Sequence, residues 1–400
     1  GADITGPVVL YLQASGVNGL TVEQAGTQAI LQQEVAVFLQ DSWKPSSNLS
    51  VDYGLRWEAQ IQPDVITAPK DVFFAPFIGK SVTNATGTYT FPSDGTIPSY
   101  KKMIQPRFGV AWDVNGDARQ LLRASAGIYY ARIPGLNLAG TRSTNGSRAQ
   151  NIFRNSSLTF LGRPPAYGEL LPGATGDPFD PGVTVVDKNF QNPRTLSASA
   201  SYEREVAKGV AISLGYMFSK TTHLTRFVDR NDPVFGSPWS TGLPGGNGLG
   251  GLTVVESSAK SQYHGFTVGL KGAPSSKLQY QINYTLGFDK ADDDNERDPF
   301  SFRYVKANKL APEYNWSDRD QRHRFNAWLL AQIPGSIYLN NRVSFYSAQP
   351  ASESCGRAGT PAKGTRATGP SDRLCTDGTI LKRNTIRKDN AYFSWDVRVS

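Results

Sequence analysis

Three histidines, one acidic cluster, one glycine cluster and two cysteines are the residues of this chain whose types could do chemistry. His223, His264 and His323 are the only histidines. None has Cys, His, Asp or Glu at metal-ligand spacing around it, so they predict no metal site. Asp292-Asp293-Asp294-Asn295-Glu296 looks like the start of a calcium loop, but the EF-hand pattern requires Gly at its sixth position and this chain has Arg297 there. We read the cluster as the solvated acidic base of a loop and leave calcium binding of another kind open. The Gly-rich run from Gly245 to Gly251 neither follows a strand pattern nor opens a helical one, so it reads as a flexible connection and not a phosphate cradle. There is no Gly-x-Ser-x-Gly elbow and no Ser/His/Asp constellation. The sequence therefore predicts no catalytic residue, no cofactor site and no enzyme. Cys355 and Cys375 lie in a Gly/Pro/Thr-rich stretch. They predict one loop-stapling disulfide and an oxidising compartment, two free thiols being the alternative.

Composition narrows the class. With Gly 39, Pro 25 and Met 2 in 400 residues, breakers are too frequent for a helical bundle. Aromatic residues make up 11%, which excludes a disordered chain. The formal charge of +8 is spread without a basic run of five, so nucleic acid is not an expected partner. No apolar run is long enough for a transmembrane helix, but a β-barrel keeps its mean hydropathy low and stays in play. The chain opens on Gly1-Ala2-Asp3 and closes within an alternating run ending at Ser400, so both ends read as cuts through a longer protein. The missing targeting segment then says nothing about destination.

The elements that would carry these residues are strands. Period-2 alternation dominates: Leu278, Tyr280, Ile282, Tyr284, Leu286 and Phe288 alternate with Gln279, Gln281, Asn283, Thr285, Gly287 and Asp289. About a dozen such runs occur, over 7–14, 31–43, 48–59, 104–114, 120–132, 195–206, 209–220, 261–271, 276–289, 322–333, 336–348 and 391–400. Most are long enough to cross a bilayer at a tilt. Connections alternate strictly between short ones, such as Ala207-Lys208 and Pro334-Gly335, and long ones near 60–103, 133–194, 221–260, 290–321 and 349–390. Outer-membrane barrels have short periplasmic turns and long extracellular loops, and a soluble sandwich has no reason for that asymmetry.

Two further features favour a membrane wall. The polar face of the runs is rich in Ser, Gln, Asn, Thr and Gly. Aromatic residues near run ends (Trp43, Trp57, Trp112, Tyr129, Tyr130, Tyr216, Phe218, Phe288, Trp395) suit interfacial girdles. The polar-face charges Asp52, Arg56, Glu58, Arg107, Asp113, Glu203, Glu205, Arg324 and Arg342 would hold a plug or line a solute path, or else form a satisfied interior network. The loop aromatics Tyr89, Phe91, Tyr100, Phe160, Tyr167, Trp239, Phe302, Tyr304, Tyr314 and Trp316 would stack on a ligand or pack the loops together.

Several strings carry a resemblance. Val37-Phe38-Leu39-Gln40-Asp41-Ser42-Trp43-Lys44 followed by Leu49-Ser50-Val51-Asp52-Tyr53-Gly54-Leu55-Arg56-Trp57-Glu58 resembles a hairpin of TonB-dependent outer-membrane receptors. The run from Pro106 to Asp113, then Leu122 to Tyr130, looks like their next hairpin. Gly215 to Leu224, Tyr284-Thr285 with Lys290-Ala291-Asp292-Asp293, and Asp320 to Phe325 are similar to the Oar-like branch, whose members carry a carboxypeptidase-regulatory-like domain.

The resemblance covers 31–400 and implies an all-β fold: an antiparallel transmembrane β-barrel, of which this chain supplies about 12 strands of 22 as a single barrel segment over 1–400. The plug, TonB box, N-terminal domain and terminal aromatic insertion signal of that family are absent from it. It implies energised uptake of a bulky solute, with oligosaccharide, peptide and chelate unresolved, in the outer membrane of a Gram-negative bacterium. Expected partners are outer-membrane lipid, lipopolysaccharide, the solute, and the TonB complex through the N-terminal region this chain lacks. No ligand-binding residue transfers from the family. The alternatives are a passive porin of about 12 strands, which needs 7–14 and 391–400 to pair, and a surface adhesion protein.

Overall fold

A computed structural model describes residues 11–16, 21, 23–24, 27–143, 145, 147–154, 182–243, 248–293 and 304–400. Eleven strands form one continuous antiparallel wall in chain order. They are β1 (Gln33–Ser46), β2 (Leu49–Ile61), β3 (Met103–Asp113), β4 (Gln120–Tyr130), β5 (Arg194–Ala207), β6 (Val210–Asp229), β7 (Gly251–Ser275), β8 (Leu278–Ala291), β9 (His323–Ile333), β10 (Ile337–Tyr346) and β11 (Tyr392–Val399). Each forms where the sequence alternates, and each short connection closes a tight hairpin. In the β5–β6 turn Gly209 has φ 72°, and a Cβ there would meet the Ala273 carbonyl oxygen at 2.6 Å, so glycine is required on both counts.

Register explains the alternation. Leu49, Trp112, Leu122, Tyr202, Leu214, Val268, Tyr284, Phe325, Phe345 and Phe393 are consecutive cross-strand partners from β2 to β11. They make one apolar row across the wall, and Trp112, Leu122, Leu214, Val268, Phe345 and Phe393 are exposed. A continuous exposed apolar face this wide needs another phase to cover it. One residue further along, the partners Ala111, Arg123, Ser201, Gly215, Thr267, Thr285, Arg324 and Tyr346 belong to the opposite, polar face.

The true core lies beyond the wall. β6 and β7 run past any bilayer-spanning length and carry on as a two-stranded arm, whose residues Phe227, Val228, Leu252, Val254 and Val255 are buried. Gly182–Val186 pairs in parallel with Gly251–Val255 on this arm. Val72, Phe74, Phe77, Phe91, Val183, Val185, Trp239, Leu249, Leu252 and Val254 form one apolar cluster there, and Ile133, Leu138, Val186, Phe190, Phe227 and Val255 a second. The long connections therefore fold together as a cap on one end of the wall.

Three expectations need correction. The expected loop over 221–260 is strand at both ends, with a connection only over 230–250. The expected wall strand over 7–14 does not join the wall in its described part: Tyr11–Gly16 pairs with Ala149–Arg154 among the loops. That removes the twelfth strand a self-contained small barrel required. In an antiparallel wall the first and eleventh strands run the same way, whereas bacterial single-chain barrels close with even strand numbers. Among the described residues, β1 and β11 are the free edges of an unclosed wall. Finally, Tyr129 is not in an apolar girdle. It shares the polar face with Arg123 and Ser125, and the Arg107 guanidinium lies 4.8 Å over its ring.

Candidate binding surfaces on the polar face and the loop cap

Several charges on the polar face are paired. On β2 and β3, Arg56 Nη2 lies 2.5 Å from Glu58 Oε1, and Gln105 Nε2 donates to Glu58 Oε2 at 2.5 Å. Arg132 meets Glu34 at 2.9 Å, and Arg123 meets Glu203 at 2.5 Å. All of these pairs are open to solvent, which screens them and leaves each a weak contributor to stability. Asp52, Arg56 and Arg107 line a common cleft with Phe38, Gln40 and Ser42. Arg342 lies opposite Trp328 and Asp396 and lines a second cleft with Asn283, Asn326 and Asn340. Arg324 stands on the same polar face, in register with Thr285 and Tyr346. Asp113 and Glu205 do a different job. Asp113 accepts from the Gly116 and Ala118 amides and Glu205 from the Gly209 amide, so both secure turns.

Between the charged flanks the polar face of β5–β8 is neutral and low: Ser201, Gly215, Thr267 and Thr285 follow one another in register, and Ser213, Gly269 and Asn283 do so in the next row. Tyr263 folds flat across this strip. Its hydroxyl would lie 2.6 Å from a Cβ on Gly265 and 3.3 Å from one on Gly287, so both glycines make room for the ring.

The cap adds buried charge. Arg226 reaches Asp292 at 2.8 Å and Asp293 at 4.0 Å, and Asp292 also accepts the Lys260 amide at 2.7 Å. Tyr304 donates its hydroxyl to Asp293, and burial, then the Asp293 charge, pushes its pKa up. The first two members of the acidic cluster are thus held by protein partners, while Asp294, Asn295 and Glu296 lie outside the described residues. Arg373 Nη2 grips both oxygens of Glu313. Arg387 and Arg322 share Asp320 at 2.7 and 3.0 Å. Arg322 also packs on both Phe288 and Trp316, 4.5 and 4.2 Å from their centroids. Cys355 and Cys375 are joined as a disulfide, with Cα atoms 5.2 Å apart.

The loop aromatics divide. Phe91 and Trp239 meet edge to face at 5.1 Å in the apolar cluster and Trp316 packs on Arg322, so these hold loops together. Tyr89 lines a cleft of about 320 Å³ with Asp187, Lys188, Arg230 and Glu256, and burial raises the Asp187 carboxyl. Lys260 lies over Tyr314, and Tyr100 packs near Tyr130. Phe160, Tyr167 and Phe302 lie outside the described residues. Two of the histidines are occupied within the sheet: Tyr216 bonds His264 Nδ1 at 2.8 Å and Tyr284 bonds His323 Nδ1 at 2.7 Å. His223 sits at φ 60° in the bulge where β6 leaves the wall. Among the described residues no three His, Cys, Asp or Glu side chains converge as a metal set.

Sequence reasoning passed over Arg226, Arg373 and Arg387. Their carboxylate partners lie 60 or more positions away and no local pattern announces them. Arg322 did lie within a string that carried the family resemblance.

Comparison with known proteins agrees with this architecture. The profile of the family described as outer membrane beta barrel domain matches residues 13–347. Among solved structures, the outer membrane transporter YddB from Escherichia coli is similar over 92% of this chain and 47% of its own, at 10% identity and a TM-score of 0.52. The FrpB iron transporter from Neisseria meningitidis is similar over 93% of this chain and 39% of its own, at 12% identity and a TM-score of 0.47. The ferric enterobactin receptor PfeA from Pseudomonas aeruginosa is similar over 92% and 37%, at 11% identity and a TM-score of 0.48. The chain thus spans less than half the length of these structures. A comparison with curated proteins finds no match. The exposed apolar row finds its covering phase in the lipid of the outer membrane, where this protein resides. The chain belongs to the outer-membrane β-barrel domain family.

Proposed function

We propose that the chain is the wall and loop cap of a TonB-dependent receptor of the Oar-like branch, taking up a bulky solute across the outer membrane of a Gram-negative bacterium. The supporting observation is the one-ended cap: every long connection leaves the same end of the wall, and the connections fold on each other through two apolar clusters and buried ion pairs. A rigid cap over a wall with a polar inner face suits capture at the mouth followed by passage along the lumen. The neutral, low strip on β5–β8 suits close packing of a plug carried elsewhere in the parent protein. On this reading the full barrel has 22 strands, the TonB complex moves the plug, lipopolysaccharide surrounds the cap, and the chain carries no catalysis of its own.

The test is uptake by cells expressing the parent protein, offered labelled oligosaccharides, peptides and metal chelates, with TonB intact or deleted. Uptake of one class that disappears without TonB supports the reading. Uptake that survives TonB deletion makes the protein a passive pore. Surface binding with no uptake in either strain makes it an adhesion protein.

A further inference from the structure

The apolar face is not uniform. Between β3 and β7 it sinks into a groove of about 890 Å³ whose lining is almost wholly apolar. Ala124 and Ala200, direct cross-strand partners on β4 and β5, form its floor. Trp112 and Leu122 wall one side, and Tyr216 and Phe266 the other. Methyl side chains set beside large rings leave a trough wide enough for a hydrocarbon chain.

A charge stands beyond the groove's lining on the turn side. Arg204 stands on the same apolar face, two residues beyond Tyr202 toward the β5–β6 turn, and is paired in register with Gln120 and Ile212. It is exposed, and no carboxylate pairs with it among the described residues. A guanidinium on a lipid-facing surface is costly unless it reaches the headgroup layer. Here it lies at the short-turn end, which in barrels of this kind is the periplasmic one. Lys208, in the next turn, is also exposed there.

We propose that this groove holds one acyl chain of an anionic glycerophospholipid from the periplasmic leaflet, with its phosphate on Arg204. Hydrocarbon fills the trough over the two alanines. The guanidinium supplies the planar, charge-assisted donor that suits a phosphate oxygen. The position at the short-turn end selects this leaflet over lipopolysaccharide at the loop end. The site rests only on the chain's place in the outer membrane and stands whether or not the protein transports anything.

The test uses the full-length parent protein purified from outer membranes in mild detergent, with retained lipid measured by native mass spectrometry after exchange into equal phosphatidylglycerol and phosphatidylethanolamine. The wild type is expected to retain phosphatidylglycerol several-fold over phosphatidylethanolamine. Arg204→Gln should abolish the preference, Arg204→Lys should keep part of it, and Ala200→Phe should lower retention of both lipids. Lipopolysaccharide as the only retained lipid, or no headgroup preference in the wild type, overturns the proposal. So does a preference that persists in Arg204→Gln. Arg204→Gln changes an exposed side chain only, so its readout survives even where Ala200→Phe fails to insert.

Discussion

Arg373 donates from Nη2 to both carboxylate oxygens of Glu313, at 2.7 and 2.5 Å, with both side chains almost completely buried. This pair ties the connection after β8 to the connection after β10, and the Cys355–Cys375 disulfide lies two residues from its arginine. Breaking one partner of such a pair leaves a buried charge and costs about 3–5 kcal/mol. Arg373→Met or Glu313→Gln should therefore release the cap locally. Hydrogen exchange over 304–323 and 350–387 should rise by orders of magnitude, while exchange in β2–β8 stays unchanged. Replacing both with apolar residues should restore much of the protection. Unchanged exchange in the single variants would mean that the pair holds nothing.

The disulfide next to it should act on the same segment. It closes a loop with a sequence separation of 20, which in the chain-entropy account is worth about 3 kcal/mol. Intact mass with and without reductant should differ by two hydrogens, and Cys355→Ser with Cys375→Ser should make the cap sensitive to protease between Glu353 and Leu381. Two alkylatable thiols in unreduced protein would overturn the bridge.

Acid should loosen the same loop through Asp372. Burial pushes its carboxyl up, but the Thr368 amide and hydroxyl and the Gly369 amide, donating at 2.7, 2.9 and 3.0 Å, outweigh it and hold the group below the usual carboxylate range. A lowered folded-state pKa stabilises above the unfolded value of about 4, and that contribution is lost as pH falls through the folded value. Exchange protection over 368–375 should drop in that acid window. Asp372→Asn should show the weakened loop at neutral pH and no further change in acid.

How legible these features were depended on whether they were local. Nearly all the wall was readable, because strands with lipid on one side and polar groups on the other must alternate, and β8 shows this over its whole length. The arm of β6 and β7 was not. Past the bulge at Thr221–Arg226 the strand enters the cap, where Phe227 and Val228 are buried together, so the period-2 signal vanishes where the environment becomes apolar on both faces. Tyr129 misled for a related reason: an aromatic near a strand end suits a girdle, but its position in register puts it opposite Thr195 on the polar face. In the candidate site the polar-face charges were legible as residues on one face. Their pairings and the buried pairs of Arg226 and Arg373 were not, since those partners come from distant loops.

Trp239 should be the anchor of the first apolar cluster. It is 1% exposed and packs edge-on against Phe77 and Phe91 at 5.4 and 5.1 Å. Trp239→Ala should cost about 3–5 kcal/mol of cap stability, through lost contacts and a cavity. Expected are early thermal unfolding of the cap and faster exchange over 72–91 and 249–255, with the wall still resistant. Loss of insertion instead would show that cap and wall fold as one unit.

The two faces of the wall should respond oppositely to charge, and adjacent positions on β6 make the comparison. Leu214 belongs to the exposed apolar row, between Tyr202 and Val268, whereas Ser213 belongs to the polar face, between Glu203 and Gly269. Both lie at nearly the same depth, so depth does not confound them. Arginine on a lipid face costs about 2–4 kcal/mol at mid-membrane, and a lumen position is spared that cost. Leu214→Arg should therefore reduce folding into vesicles of outer-membrane lipid sharply, read as the fraction resisting unfolding on unheated gels. Ser213→Arg, with Glu203 opposite it in register, should insert close to wild-type levels. Equal damage from both substitutions would mean that the polar face is also in contact with lipid, and that neither face encloses an aqueous lumen.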